Sequence, residues 1–295
     1  MVSHQESIDK LIEAYRQGTL NRRGFIQAVV ALSGSLAAAT SVLGPLGLTP
    51  AGAALVDPQD PDLVSTMVRY PGEGAALAGY LSRPRADGRY PGVIVIHENR
   101  GLNAHIQDVA RRFAKERFTA LGVDLLARTG GTAALSDDDA RAAIGKLAQE
   151  SVDRDLRSAF DYLRRLDGVR GDRIGVTGFC WGRHQSIRMA TQVRDLSAAV
   201  VFFYGRNPSP LELVQQIGCP LLLIYGEDDP FIIGGVPALG EALKRHGKAY
   251  ELKIYPKAKH AFHNDTRPDV YDHEASRDAW ARTVAFLKRS LETST

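Results

Sequence analysis

The 295-residue chain is 44% hydrophobic and 24% charged, which suits one soluble domain with a large core and a modest extension. A formal charge of +3, with no basic stripe interleaved with aromatics, argues against nucleic acid or an anionic membrane as partner. Two cysteines, Cys180 and Cys219, are too few for a disulfide framework, so each is either a small buried hydrophobe or a reactive thiol.

The first residues read as an address. Asn21-Arg22-Arg23-Gly24-Phe25-Ile26 resembles the twin-arginine export signal, with Asn where that pattern usually has Ser. No charged residue occurs from Gly24 to Val56, and the stretch contains the small-x-small site Ala51-Gly52-Ala53 of a signal peptide. Residues 1–53 are therefore expected to be a signal peptide read by the twin-arginine export machinery, leaving a periplasmic or extracellular protein. The competing reading is an amphipathic helix, with Ile8, Leu11, Ile12 and Tyr15 at helical spacing, followed by a buried or membrane-anchoring helix. Gly34, Gly44, Pro45, Gly47 and Pro50 would interrupt such an anchor. Residues 54–63, which include Asp57-Pro58-Gln59-Asp60-Pro61, are expected to link the signal to the domain.

Strands then alternate with helices. Val64 to Tyr70 and Ala75 to Arg83 read as a hairpin around Pro71-Gly72-Glu73-Gly74. Gly92 to His97 is a continuous apolar run after Pro91, the pattern of a strand buried on both faces. Phe118 to Val123, Arg173 to Gly178, Ala198 to Tyr204, Pro220 to Tyr225 and Tyr250 to Tyr255 bring the expected strands to eight. Helices are expected at His105 to Arg117, Val152 to Leu166, Pro237 to His246 and His273 to Ser290, with a short one within Ser136 to Gln149 over the site. This alternation predicts an α/β domain, a mostly parallel sheet covered on both faces, with its site at the carboxyl ends of the strands.

Gly178-Phe179-Cys180-Trp181-Gly182 has the spacing of a nucleophile elbow, Gly-x-Ser-x-Gly, with Cys in place of Ser. It follows a strand and opens a helix, as the motif requires. The helix start favours thiolate over thiol, so Cys180 is the candidate nucleophile. In this fold the acid and then the histidine follow in the chain. Gly226-Glu227-Asp228-Asp229-Pro230 offers three acids. The Gly-x-x-Asp turn favours Asp229, with Glu227 and Asp228 as solvated turn residues. His260 is the expected base and His263 its rival. The oxyanion donors should be the main-chain N–H groups of Trp181 and of a residue after the Val93–His97 strand, Asn99. His97 looks like a packing residue, and Cys219 a small core one. The histidines have no metal-ligand spacing and no cofactor is implied.

These pieces resemble the dienelactone hydrolase family from about Val64 to Leu291. The resemblance is carried by the elbow, Gly226-Glu227-Asp228-Asp229, Tyr255-Pro256-Lys257-Ala258-Lys259-His260-Ala261-Phe262 and Val93-Ile94-Val95-Ile96-His97-Glu98-Asn99-Arg100-Gly101. It implies an α/β-hydrolase fold with an eight-stranded sheet and a small ester or lactone as substrate. It also implies that Glu98 pairs with the thiol and helps ionise it. Arg128 matches one of the two arginines with which the family's dienelactone-cleaving member grips a substrate carboxylate. The other falls at Asn264, and a neighbouring hydroxylated residue falls at Ala261. Arg183 stands where the family usually has a second glycine, which could place a cation beside the site. Arg128, Asn264 and Arg183 are thus the candidate substrate-binding residues. The alternatives to a lactone-specific enzyme are a general short-chain carboxylesterase and a non-catalytic or thiol-binding member of the fold. No motif speaks to the oligomeric state.

Overall fold

The computed structural model describes residues 4–20, 22–33, 39, 42–43, 54–202, 207–230 and 232–292. Eight strands form one sheet in the order β1-β2-β4-β3-β5-β6-β7-β8. They are β1 (Leu63–Gly72), β2 (Ala75–Pro84), β3 (Tyr90–Ile96), β4 (Thr119–Asp124), β5 (Val169–Phe179), β6 (Ala198–Phe202), β7 (Leu221–Asp228) and β8 (Tyr250–Lys259). The β1–β2 hairpin pairs antiparallel, and β2 joins β4 antiparallel; the other five pairings are parallel.

Strand periodicity decides which helices cover which face. In β3 all seven residues are buried, as expected for a central strand between two helical layers. Ile94 and Ile96 point to one side, where they join Leu156, Phe160 and Leu163 of α5 (Gln149–Arg165). Val93 and Val95 point to the other, toward Ile106, Val109 and Phe113 of α3 (Ala104–Lys115). Helices α6 (Trp181–Gln192) and α7 (Val236–Arg245) share the α5 side, and α8 (His273–Glu292) shares the α3 side. Each fully buried Ile, Val or Phe contributes roughly 1.5–3 kcal/mol of hydrophobic stabilisation. The two layers therefore hold the strand ends rigidly. The short helix expected over the site is α4 (Asp137–Ile144), N-capped by Ser136, whose hydroxyl accepts from the Asp139 N–H at 3.1 Å.

The N-terminal region contains α1 (His4–Arg16) and α2 (Arg22–Ser33). The Tyr15 ring stacks on Phe25 with centroids 4.8 Å apart, and Phe25 and Val29 are buried against Leu11 and Ile12. The apolar spacing of Leu11, Ile12 and Tyr15 thus serves a helix–helix contact. Among the described residues no helix is long and apolar enough to cross a membrane. Ala51-Gly52-Ala53 lies outside the described residues. The stretch expected to be a plain linker is tied to the domain: the Leu55 and Val56 N–H groups both donate to the Asp108 carboxylate on α3.

Candidate active site

Strand β5 ends at Phe179 and α6 begins at Trp181, so the whole turn is made at Cys180, with φ 52° and ψ −118°. A non-glycine residue rarely holds such a conformation, and it persists only where the surroundings enforce it. Two glycines do so. A Cβ at Gly178 would stand 2.2 Å from the Gly182 carbonyl oxygen, and one at Gly182 would stand 2.5 Å from the His97 carbonyl oxygen. The elbow can close only because both positions lack side chains.

The chain returns to this point twice. Strand β7 pairs with β8 through an irregularity between Gly226 and Asp228, and Asp229 follows directly. His260 follows the last residue of β8. Its Nε2 lies 3.8 Å from Cys180 Sγ, and its Nδ1 lies 3.0 Å from Asp229 Oδ2. The Asp229 side chain is only 3% exposed while the imidazole is 42% exposed, so the orienting acid is sheltered and the ring reaches solvent. Glu227 and Asp228 are exposed, and Glu227 accepts from the Lys257 N–H at 3.2 Å. His263 is buried, its ring between Phe179 and Trp280 and its Nδ1 2.9 Å from Ser276 Oγ. Burial, with Arg112 and His105 adding to it, pushes its pKa down to about 3.

Burial pushes the Cys180 thiol up to about 11, and the negative charge of Glu98 adds to the effect. Hydrogen bonds from the main-chain N–H groups of Trp181 and Asn99 oppose it. At neutral pH the group is a thiol that needs a base. Glu98 is 6% exposed, and its Oε2 accepts from Asn264 Nδ2 at 2.9 Å. Asn264 Oδ1 accepts from the Thr266 N–H at 3.1 Å and from its hydroxyl at 2.6 Å, which fixes the amide so that Nδ2 faces Glu98. His97, read as packing from the sequence, also holds the site. Its Nδ1 is 2.6 Å from the Glu98 carbonyl oxygen, its Nε2 accepts from the Leu125 N–H, and its ring stacks on Trp181. A histidine between the ends of two strands was the available signal.

The expected substrate-binding residues need correction. Arg183 is fully buried rather than facing the cleft. Its Nη2 donates to the Tyr225 hydroxyl at 2.6 Å, and its guanidinium lies 4.7 Å from that ring's centroid. Burial lowers its pKa, and Tyr225 and Asp229 counter the effect. Asn264 is 2% exposed and turned onto Glu98, so it does not stand as a neutral contact for substrate. Arg128 does not present a free clamp. Its guanidinium forks onto Asp155 at 2.7–3.0 Å and donates to the Glu73 carbonyl of the β1–β2 turn at 2.9 Å. Cys219 is buried, with burial pushing its thiol up to about 12, and neither cysteine is in a disulfide.

A strand–cysteine–helix elbow with acid and histidine after later strands, on this sheet, agrees with the family comparison. The model of the dienelactone hydrolase family matches residues 77–291. The chain belongs to that family. Among similar proteins, one from Saccharolobus solfataricus named as a carboxymethylenebutenolidase is 34% identical, over 75% of this chain and 96% of its own. A Bradyrhizobium protein named as a 2-oxo-3-(5-oxofuran-2-ylidene)propanoate lactonase is also 34% identical, over 74% of this chain and 91% of its own. A crystal structure described as a dienelactone hydrolase from Klebsiella pneumoniae superposes with a TM-score of 0.70 at 29% identity, covering 77% of this chain and 99% of that one. This dienelactone hydrolase family member is accordingly a hydrolase of the ester and lactone class.

Proposed function

We propose that the protein cleaves small esters or lactones through a thioester on Cys180. The observation that carries this reading is the chain of contacts from Asp229 to His260 to a cysteine held at the strained elbow. In the proposed cycle the thiol loses its proton, with Glu98 and His260 as the available bases, and the thiolate adds to the carbonyl carbon. The Trp181 and Asn99 N–H groups stabilise the oxyanion. The leaving alkoxide takes back, through His260, the proton that the thiol gave up. Water, deprotonated by the same imidazole, then hydrolyses the thioester and frees the acid. Asp229 holds the ring in its working tautomer.

The test is time-dependent inactivation by iodoacetamide of p-nitrophenyl acetate hydrolysis, with Cys180→Ala and His260→Ala as controls. Both substitutions should abolish turnover on a folded protein, and Asp229→Asn should cost less. Turnover that survives in Cys180→Ala would refute the thioester.

The substrate reading follows from the occupied cations. Arg128 and Arg183 are both engaged within the protein, and Asn264 supplies no charge. A substrate carboxylate would forgo charge-assisted contacts worth on the order of 1.5–3 kcal/mol each, so neutral short-chain esters should be accepted alongside lactones. Comparing kcat/KM for an anionic lactone and a neutral ester of similar size tests this. A hundredfold preference for the anion would overturn it. We further propose that the chain is exported through the twin-arginine route and acts outside the cytoplasm. The paired arginines, the uncharged stretch and Ala51-Gly52-Ala53 support that reading.

A further inference from the structure

Residues 54–56 lie in neither helix nor strand, yet their main chain is held by a buried receptor. The Leu55 N–H donates to Asp108 Oδ2 at 3.0 Å and the Val56 N–H to Asp108 Oδ1 at 2.9 Å. The Val56 carbonyl accepts from Arg111 Nε at 2.8 Å, and Arg111 Nη1 donates to the Tyr80 hydroxyl at 3.0 Å. Asp108 and Arg111 are only 1% and 2% exposed, whereas the Leu55 side chain projects outward at 37%. Main-chain polar groups, rather than apolar burial, make the contact.

The contacts continue toward the reacting residues. Arg112 Nε donates to Asp108 Oδ2 at 2.8 Å, and its Nη2 donates to Asp265 Oδ2 at 2.5 Å, so one guanidinium joins the two acids. His105 Nδ1 takes the other oxygen of Asp265 at 3.1 Å. Asp265 follows Asn264, whose amide donates to Glu98, in the loop that His260 opens.

We propose that residues 54–56 form a strap that positions this loop, with the Leu55 and Val56 N–H groups acting through Asp108, Arg112 and Asp265 on Asn264 and Glu98. A buried carboxylate that loses two donors turns to the remaining cations to satisfy itself. Arg112 is the shared cation, so its hold on Asp265 weakens and Glu98 loses its fixed partner. The strap goes beyond the hydrolysis reading and rests on it only for the role of Cys180 in the readout.

Proline tests the strap in the full chain, because it removes one N–H and leaves most else in place. Leu55→Pro and Val56→Pro each delete one hydrogen bond to Asp108, while Leu55→Ala and Val56→Ala keep it. Both proline variants should lower kcat for p-nitrophenyl acetate about tenfold with KM little changed, as small displacements of reacting groups do. They should also change the rate of Cys180 alkylation by iodoacetamide, and the alanine variants should match the parent in both. If proline variants lower Tm but leave kcat and alkylation at parental values below Tm, the strap is structural only and the proposal fails. Should they not fold, Asp108→Asn, with only one acceptor oxygen for the two N–H groups, is read the same way. If iodoacetamide labels Cys180 without inactivating the parent, the thioester reading fails instead, and kcat alone decides the strap.

Discussion

With its pKa pushed up to about 11 by burial and then by Glu98, the Cys180 thiol is protonated in the resting site at neutral pH. Only the thiolate reacts with iodoacetamide, so alkylation of the free enzyme should climb about tenfold per pH unit from 7 to 10 without a plateau. Glu98→Gln separates the two roles of that carboxylate. Removing the negative neighbour lowers the thiol pKa, so alkylation at pH 8 should speed up several-fold, while turnover slows because a proton acceptor is gone. Stopped-flow alkylation and steady-state kinetics on the same preparation check both halves. If both rates fall together, Glu98 acts by placement rather than charge. At this scale the sequence was legible where the backbone dictates the residue. The elbow glycines follow from turn geometry, and the Gly-x-x-Asp turn favoured Asp229, whose carboxylate lies 3.0 Å from His260 Nδ1. Asn264 and Arg183 were misread because their roles come from partners remote in the chain, Glu98 and Tyr225. No local pattern announces a pair 166 positions apart.

At the scale of elements, four segments of the chain build the site: the loop after β3, the elbow between β5 and α6, the turn after β7 and the turn after β8. The parallel order sets these ends side by side, so the site's precision depends on how closely β3 and α6 approach. Gly182 is where they meet, since a Cβ there would lie 2.5 Å from the His97 carbonyl oxygen and 2.7 Å from that of Ile96. Both obstacles are backbone, so Gly182→Ala has to move α6 away from β3. Overpacking of this kind typically costs about 1–3 kcal/mol. The shift would also carry the Trp181 N–H off its proposed oxyanion position, where losing one donor costs about 100–1,000-fold in kcat. Gly182→Ala should thus lower Tm by several degrees and kcat far more than KM, measured by calorimetry and ester hydrolysis. A variant with lowered Tm but parental kcat would show that α6 can move without disturbing the elbow. Periodicity made these elements readable: eight strands fall where alternating and continuous apolar runs are expected. It could not show that β7 and β8 run on to Asp228 and Lys259, because those last residues are held by pairing rather than by apolar burial.

For the whole molecule, the question is where an export segment would end and the folded domain begin. The family match starts at residue 77, yet the domain's hydrogen bonds reach back to Leu55. Leu55 contributes as a peptide N–H, so residue 54 has to remain attached for that donor to keep its neutral geometry. Cleavage after Ala53 is the latest cut that keeps both donors as peptide N–H groups, and the small-x-small site ends there. A cut one residue later would replace the Leu55 peptide N–H beside Asp108 by a terminal ammonium and remove the residue 54 peptide that orients it. On the proposed twin-arginine route, which carries folded cargo, the strap would form before export and the thiol would be buried before the protein left the reducing cytosol. The expected outcome is a secreted protein whose N-terminal residue is Ala54, by terminal sequencing and intact mass. Replacing Arg22 and Arg23 by Lys should leave the full-length precursor inside. Cytoplasmic protein that keeps Met1 to Ala53 in cells with a working twin-arginine system would sink the export reading. Secreted protein starting at Val56 or beyond, with full activity, would instead count against the strap.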